Sequence, residues 1–382
     1  MPARPRRRFD LHPLPSIVIA GSPTGKTTGG FLKRSVTIID IAKRAGVSFK
    51  TVSRVLNGAP TVAEALRHKV EEAMRELDYK PNRAARLLRG GKAHSLGLVI
   101  GSSARFVSSP EPDRRLPSYA ADVILGLLQA CHPAEYHLVI ESVAPDDADG
   151  PAALERFLDL VRLDGVILVP SLCDTRWVLD LLESRGMPFA RINPGLDLDR
   201  ALCLIIDNRS AAREVGEAIL AHGHRRIGFI DGPFAHAAQR ERKTGLLDAV
   251  SKVPGAHVEV RQGNFLFASG LEKGRELLEL DDRPTAIFAA NDEMAAGVLA
   301  AAIDAGIDVP RQLSLVGFGG LAIAEHTWPR ITTVSQPTTE IARIAGQKLI
   351  AQGGHTDDGW PQLITVPYEL TMRQSLASVS RP

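Results

Sequence analysis

Hydrophobic and polar positions alternate with a helical period through Thr37–Asn57, TIIDIAKRAGVSFKTVSRVLN. Ile38, Ile41 and Ala42 fall at i, i+3 and i+4, one face of a first helix. Ala45-Gly46-Val47 reads as the turn, because glycine adopts a positive φ without a Cβ clash. Ser48 is a natural N-cap for a second helix. There Val52, Val55 and Leu56 form the inner stripe, and Phe49, Lys50, Ser53 and Arg54 face outward. Thr61-Val62-Ala63-Glu64 has the spacing of a capping box and is expected to open a third amphipathic helix through Val70, Met74 and Leu77. From Leu96 onward the period changes. Short apolar runs read as strands: LGLVI (96–100), YHLVIE (136–141), DGVILVP (164–170), PFARI (188–192), then CLIID (203–207), RRIGFID (225–231), HVEVRQ (257–262), TAIFAA (285–290) and LSLVGF (313–318). Helical runs separate them, Tyr119–Cys131 first. Unbroken apolar strands flanked by amphipathic helices make parallel sheets covered on both faces. The second set repeats the rhythm of the first, which implies two doubly wound subdomains with a cleft between them. Ligands of such sheets bind beyond the carboxyl ends of the strands.

Charge sharpens this division. Residues 1–92 carry 19 Lys and Arg against 7 Asp and Glu, a net +12, whereas the remaining 290 residues carry 27 against 37, a net −10. A basic head on an acidic body points to a polyanion partner for the head alone. The outward face of the second helix, with an aromatic, a lysine and an arginine, suits base edges in a major groove. Its alternative is an ordinary helical hairpin with a solvated basic face. The chain contains no run of ~18 apolar residues, so no membrane span is expected. Cys131, Cys173 and Cys203 are odd in number and widely spaced. They are expected to be reduced, buried small hydrophobes in a cytosolic protein.

One competing motif lies near the start. Ala20–Thr27, AGSPTGKT, fits the loose pattern of a nucleotide P-loop after the strand-like Ile17-Val18-Ile19. A working P-loop needs a helix directly after its Lys-Thr, and Thr28-Gly29-Gly30 starts a helix poorly. A disordered basic extension over residues 1–34 is the expectation instead.

The run TIIDIAKRAGVS, TVSRVLNG, ELDYKPNRAARLLR and LGLVI, in this order and spacing, resembles the LacI/GalR family of bacterial transcription regulators, over about residues 35 to 373. Members of that family usually begin near the residue corresponding to Val36 or Thr37. The resemblance implies a helix-turn-helix headpiece over 35–81, a hinge helix and linker over 82–93, and a periplasmic-binding-protein-like body over 94–373 of two interleaved subdomains, with a tail over 374–382. It implies no catalysis, no cofactor and no metal. It implies a DNA operator, a small-molecule effector such as a sugar, and a homodimer or a tetramer built from it.

Carried onto this sequence, the family's DNA contacts fall on Thr37, Ser48, Phe49, Lys50, Thr51, Ser53, Arg54 and Asn57. In the hinge they fall on Asn82, Arg83, Ala85 and Leu88, where Leu88 matches the residue that wedges between base pairs. In the body, Arg242 stands where the family's guanidinium grips the effector; otherwise it is a solvated helix arginine. Asn193 is a ligand contact or a turn residue, and Asp207 has the same ambiguity. Phe265 stacks on a ligand or packs in the core. Of Asn291 and Asp292, one caps a helix, and the family pattern favours a ligand role for Asn291. His222 and His224 match a structural turn. One departure is plain. Where the family usually has an acidic pair after VGF, this chain has Gly319-Gly320, which removes an acceptor for a sugar hydroxyl or amine. The segment after LGLVI is also longer than usual, and its Arg105, Asp113, Arg114 and Arg115 reach the cleft mouth or are solvated.

Overall fold

The computed structural model describes residues 36–56, 62–79, 92–101, 118–233, 237–354 and 360–379. These fall into two compact units.

The first unit is three helices: α1 (Ile38–Ala45), α2 (Phe49–Leu56) and α3 (Glu64–Glu76). Ile41, Ala42, Val52, Val55, Val70 and Ala73 form their shared core. Thr37 caps α1 in a reciprocal box. Its amide and hydroxyl donate to Asp40 Oδ2 at 2.8 and 2.7 Å, and the Asp40 amide returns to its hydroxyl oxygen. Gly46 takes φ 66° at the end of α1, which is the left-handed turn its lack of a Cβ permits. The start of α3 departs from expectation. Its N-cap is Ala63, with no side-chain cap bond. Glu64 is therefore the first helical residue rather than the third, so it cannot close a capping box, and Thr61 lies outside the described residues.

The second unit holds two six-stranded sheets. The first contains β1 (Ser95–Gly101), β2 (His137–Val143), β3 (Gly165–Leu168), β4 (Phe189–Ile192), β5 (Leu202–Ile205) and, much later, β11 (Gln362–Thr365). All its pairs are parallel, in the order β11-β5-β4-β3-β1-β2. The second contains β6 (Arg226–Asp231), β7 (His257–Gln262), β8 (Ala286–Ala289), β9 (Ser314–Gly319), β10 (Thr332–Ser335) and β12 (Glu369–Thr371). Its order is β12-β10-β9-β8-β6-β7, and only β12 runs antiparallel. The helices are α4 (Ser118–Cys131), α5 (Gly150–Leu160), α6 (Arg176–Ser184), α7 (Asn208–Ala221), α8 (Ala237–Val250), α9 (Phe267–Leu278), α10 (Asp292–Asp304), α11 (Ala322–His326) and α12 (Thr338–Gln352). The central strands are buried along their whole length, as a sheet covered on both faces requires.

Two corrections follow. CLIID does not open the second sheet. Leu202–Ile205 pairs with β4 within the first sheet, and the chain crosses over only afterwards, at 206–207. It crosses back between β10 and β11, and again between β11 and β12. Residues 374–379 are not a loose tail either. The Ser375 hydroxyl, fully buried, accepts the Thr332 amide at 2.8 Å and donates to the Leu315 carbonyl, and Val379 N donates to His222 O at 2.9 Å. His224 joins the same seam through Thr285, Ser314 and the Ala377 carbonyl, in keeping with a structural turn. The three cysteines are free and buried.

Candidate functional site

On the helical unit, the inner faces of α1 and α2 are consumed by the core, so α2 has one face left. Phe49 is 43% exposed, and Lys50 and Arg54 are exposed beside it. Thr51 and Ser53 are partly covered. Ser48 does cap α2, accepting the Thr51 amide at 3.1 Å, and its hydroxyl meets Thr51 Oγ1 at 2.9 Å. Thr37 is committed to the α1 cap described above. Asn57, Asn82, Arg83, Ala85 and Leu88 lie outside the described residues, as do the segment Ala20–Thr27 and the loop carrying Arg105, Asp113, Arg114 and Arg115.

In the second unit, contacts between the two sheets come from the carboxyl ends of their strands. Ser118, at the start of α4, donates to Glu293 on α10. Gly195, past β4, sits so close to Ala237 that a Cβ there would collide with it. The carboxyl ends of the two sets of strands therefore face each other, which is where sheets of this kind hold ligands and where a cleft is expected. Arg242 occupies its second-sheet wall and is only 7% exposed, so it is no solvated helix arginine. Its Nε donates to Asn208 Oδ1 at 2.9 Å and its Nη1 to the Ala290 carbonyl at 2.7 Å. The guanidinium carbon stands 3.8 Å from the centre of the Phe318 ring, within range of a cation–π contact. Burial pushes the Arg242 pKa down to about 9.

The other candidates divide. Phe265 has φ 70° and leans its ring over Gly232, where a Cβ would strike it. It is partly buried and packs against the hydrophobic core. Asn291 is the N-cap of α10. Its Oδ1 accepts the Met294 amide and its Nδ2 donates to the Phe265 carbonyl, both at 2.9 Å. Its amide thus holds the Phe265 loop against α10. Asp292 is held within the fold: it accepts the Thr333 hydroxyl at 2.5 Å and the Leu321 amide at 2.7 Å. Asp207 is exposed and caps α7 through the Ser210 amide at 2.8 Å, which keeps its carboxyl below the ordinary value despite partial burial. The buried polar residue is its neighbour Asn208. Asn193 is a brace: its Oδ1 accepts the Ile206 amide at 3.1 Å and its Nδ2 donates to Gln336 Oε1 at 3.2 Å. Both partners belong to segments that cross between the sheets.

Sequence reasoning missed four residues here. Asn208 and Phe318 hold Arg242. Gln239, 1% exposed, has an Oε1 with no hydrogen-bond partner among the described residues, and its Cγ lies near Gly232. Tyr119 hydrogen-bonds Ser171, and its burial pushes the phenol up to about 12. VGF marked Phe318 only as motif, and nothing local distinguishes Asn208 from Asp207.

Gly319 and Gly320 have φ 140° and 73°, so the turn after β9 adopts a backbone that L side chains rarely take. A Cβ on Gly320 would also press against Ser335. No cluster of three or more metal-ligating side chains occurs among the described residues, and none of their helices is long and apolar enough to cross a membrane.

Residues 37–82 match the model described as bacterial regulatory proteins, lacI family, and residues 217–376 match the periplasmic binding protein-like domain. The probable HTH-type transcriptional repressor ExuR of Bacillus subtilis (strain 168) is 32% identical over 320 residues, covering 83% of this chain and 91% of that protein. This chain belongs to the LacI family of bacterial regulatory proteins. It is a DNA-binding transcription regulator rather than an enzyme. The LacI-family repressor PurR of Proteus mirabilis (strain HI4320) is 32% identical over 345 residues, covering 89% of this chain and 97% of that protein. Among solved structures, the transcriptional regulator CelR–cellobiose complex superposes with TM-score 0.64 at 28% identity, over 89% of this chain and 99% of that one. The lac repressor dimer bound to operator and the anti-inducer ONPF gives TM-score 0.75 at 24% identity, over 90% and 100%. The latter likeness establishes the shared fold of this LacI-family chain.

Proposed function

We propose that this regulator is a repressor that binds a pseudo-palindromic operator as a homodimer, placing α2 of each protomer in a major groove. Phe49, Lys50 and Arg54 contact base edges, and Ser48, Thr51, Ser53 and Asn57 support them at the backbone. The segment with Asn82, Arg83, Ala85 and Leu88 kinks the centre of the site. A sugar-sized effector enters the cleft beside Arg242 and Phe265; a relative's complex with cellobiose supports a ligand of that size. The ligand acts through its different affinity for two arrangements of the sheets. The cell interior, where the DNA is, is its place of action.

The observation that carries this reading is the exposed Phe49-Lys50-Arg54 face on a helix whose other side is buried, in the same chain as a cleft built around a buried arginine. Dimerisation draws support from an apolar patch: Leu125 and Leu128 on α4 are 49% and 47% exposed, and Ile140 on the edge strand β2 is 46% exposed.

The test is fluorescence anisotropy of the purified protein with its own upstream DNA, titrated with salt and then with candidate sugars. Tight binding to a short pseudo-palindrome, with log K falling by about 0.9 per neutralised phosphate for each tenfold rise in salt, supports the reading. Weak, sequence-blind binding at every salt concentration refutes it.

A further inference from the structure

We propose that Arg191 and Asp174 are a positioning pair: they hold the turn 194–200 rigidly on the first sheet, so that Gly195, pressed on Ala237, sets how far the two sheets close and thereby sets operator affinity. This deepens the reading of the chain as an operator-binding repressor and rests on it.

A buried ion pair stands outside the sites described above. Arg191 lies on β4 with a fully buried side chain, and Asp174, in the turn after β3, is 11% exposed. Each of the five N–H groups of the guanidinium has an oxygen acceptor. Nε donates to the Cys173 carbonyl at 2.7 Å, and Nη1 to the carbonyls of Asp197 and Arg200 at 2.6 and 3.3 Å. Nη2 donates to Asp174 Oδ1 at 2.9 Å and to the Leu196 carbonyl at 2.6 Å. Asp174 in turn accepts the amides of Gly195 and Leu196 at 3.1 and 3.3 Å. Gly195, Leu196, Asp197 and Arg200, all in one turn, are thus bonded to one pair. Apolar residues would fill this space without desolvating two charges, so stability alone does not account for the pair. What a fully satisfied polar network adds is a single fixed arrangement.

The turn needs such holding. Asn193, Asp197 and Ala201 have φ 50°, 47° and 61°. Asparagine and aspartate visit that region; alanine rarely does. Residues of this kind persist where their surroundings over-determine them, as at clamps and switch segments. The outer side of the turn is tied as well, because Arg200 donates to Asp180 and Glu183 on α6, each at 2.7 Å. The turn is therefore a rigid part of the first sheet.

Its tip faces the other sheet. A Cβ on Gly195 would overlap that of Ala237 and lie 3.2 Å from its Cα. Ala237 is the first residue of α8 and is buried. The contact is backbone against a methyl group, with no room for another. Close-packed surfaces yield little under compression. A rigid tip against the start of a helix is a stop, and one added methyl moves the point at which the sheets meet.

The experiment uses the full-length protein and its own upstream DNA, by anisotropy, with urea unfolding on every variant. Binding by the parent is measured first, and its failure brings down the repressor reading and this proposal with it. Gly195→Ala drives a methyl between the tip and the helix and is expected to change operator affinity at least about fivefold. Adding Ala237→Gly removes the methyl it strikes and is expected to return affinity to within about twofold of the parent, which a general loss of packing would not do. In an Arg191→Met background the turn is no longer held, and Gly195→Ala is expected to change affinity less than about twofold. A folded Gly195→Ala protein with parental operator affinity, or one that Ala237→Gly does not restore, overturns the stop and leaves the repressor reading intact. A folded Arg191→Met protein in which Gly195→Ala keeps its full effect overturns the positioning pair. Where Arg191→Met does not fold, Arg191→Lys, which keeps the charge without the planar fork, takes its place in the same comparison.

Discussion

Asn193 donates its side-chain amide to Gln336 Oε1 at 3.2 Å across 143 residues of sequence. With its Oδ1 it accepts the Ile206 amide. One side chain therefore ties together two of the three segments that cross between the sheets. It does so from φ 50°, a conformation asparagine tolerates better than most residues. A hinge fixed in this way limits the arrangements open to the two sheets.

That brace gives the first prediction. Asn193→Gly keeps the backbone conformation but removes both bonds, so it should lower stability by about 2 kcal/mol, roughly 1 kcal/mol for each bond. The loss is read from urea unfolding. Operator affinity without effector should change more than intrinsic effector affinity. A variant of full stability that has lost only effector binding would return Asn193 to the ligand contacts.

Asn208 supports the second. Its Oδ1 is the acceptor for Arg242 Nε. Asn208→Ala leaves that N–H buried without a partner, at a cost of about 1–3 kcal/mol. Effector binding should weaken as well, because the guanidinium loses the contact that fixes its plane. Unfolding and calorimetry on the same preparation check both halves. A variant with unchanged effector affinity would mean that the Ala290 carbonyl and Phe318 alone orient Arg242.

How much of this was readable in advance depends on the range of the interaction. The Ser48 cap and the Gly46 turn involve residues within a few positions of each other, and local pattern sufficed for them. The apolar strands were legible for the same reason. The placement of Leu202–Ile205 in the first sheet depends on its pairing with β4 and β11, the latter about 160 residues away, and strand order is not written in the strand itself. β10 (TTVS), β11 (QLIT) and β12 (ELT) lack the unbroken apolar run that marks the other short strands. Arg242 is legible through its family position, but its burial and its contacts with Asn208, Ala290 and Phe318 emerge only when α7, α8, β8 and β9 pack together. Asn193, just past a strand end, reads from sequence as either a ligand contact or a turn residue. Its partners, Ile206 and Gln336, make it a brace.

Asp292 yields a prediction in pH. It is fully buried, and desolvation raises its pKa from 3.8 to about 6 against the opposing hydrogen bonds from Thr333 and Leu321. The folded state thus holds this proton more tightly than the unfolded state. The resulting contribution to stability is complete below about pH 4 and is lost as pH rises through about 6. Asp292→Asn removes the titration. Whatever the variant's absolute stability, its unfolding free energy relative to the parent should climb between pH 4 and pH 7, by up to about 3 kcal/mol for a shift of about two units. Urea unfolding at several pH values measures the difference. A constant gap between the two proteins would mean that Asp292 is not raised.

The last prediction concerns readout. Arg54 is exposed on the outer face of α2, one turn beyond Lys50, while Val52 and Val55 anchor the helix from behind. Truncating it leaves the helical core untouched, so Arg54→Ala should fold like the parent. Bound to the operator, it should lose about 1–3 kcal/mol and relax the preference at one base-pair position. A phosphate contact would behave differently: affinity would fall about equally for every sequence, and the salt slope would shrink by about one unit. Anisotropy against a set of single-base operator variants at two salt concentrations separates these outcomes. Full retention of sequence preference with a smaller salt slope would move Arg54 from the bases to the backbone, leaving Phe49 and Lys50 to carry the readout.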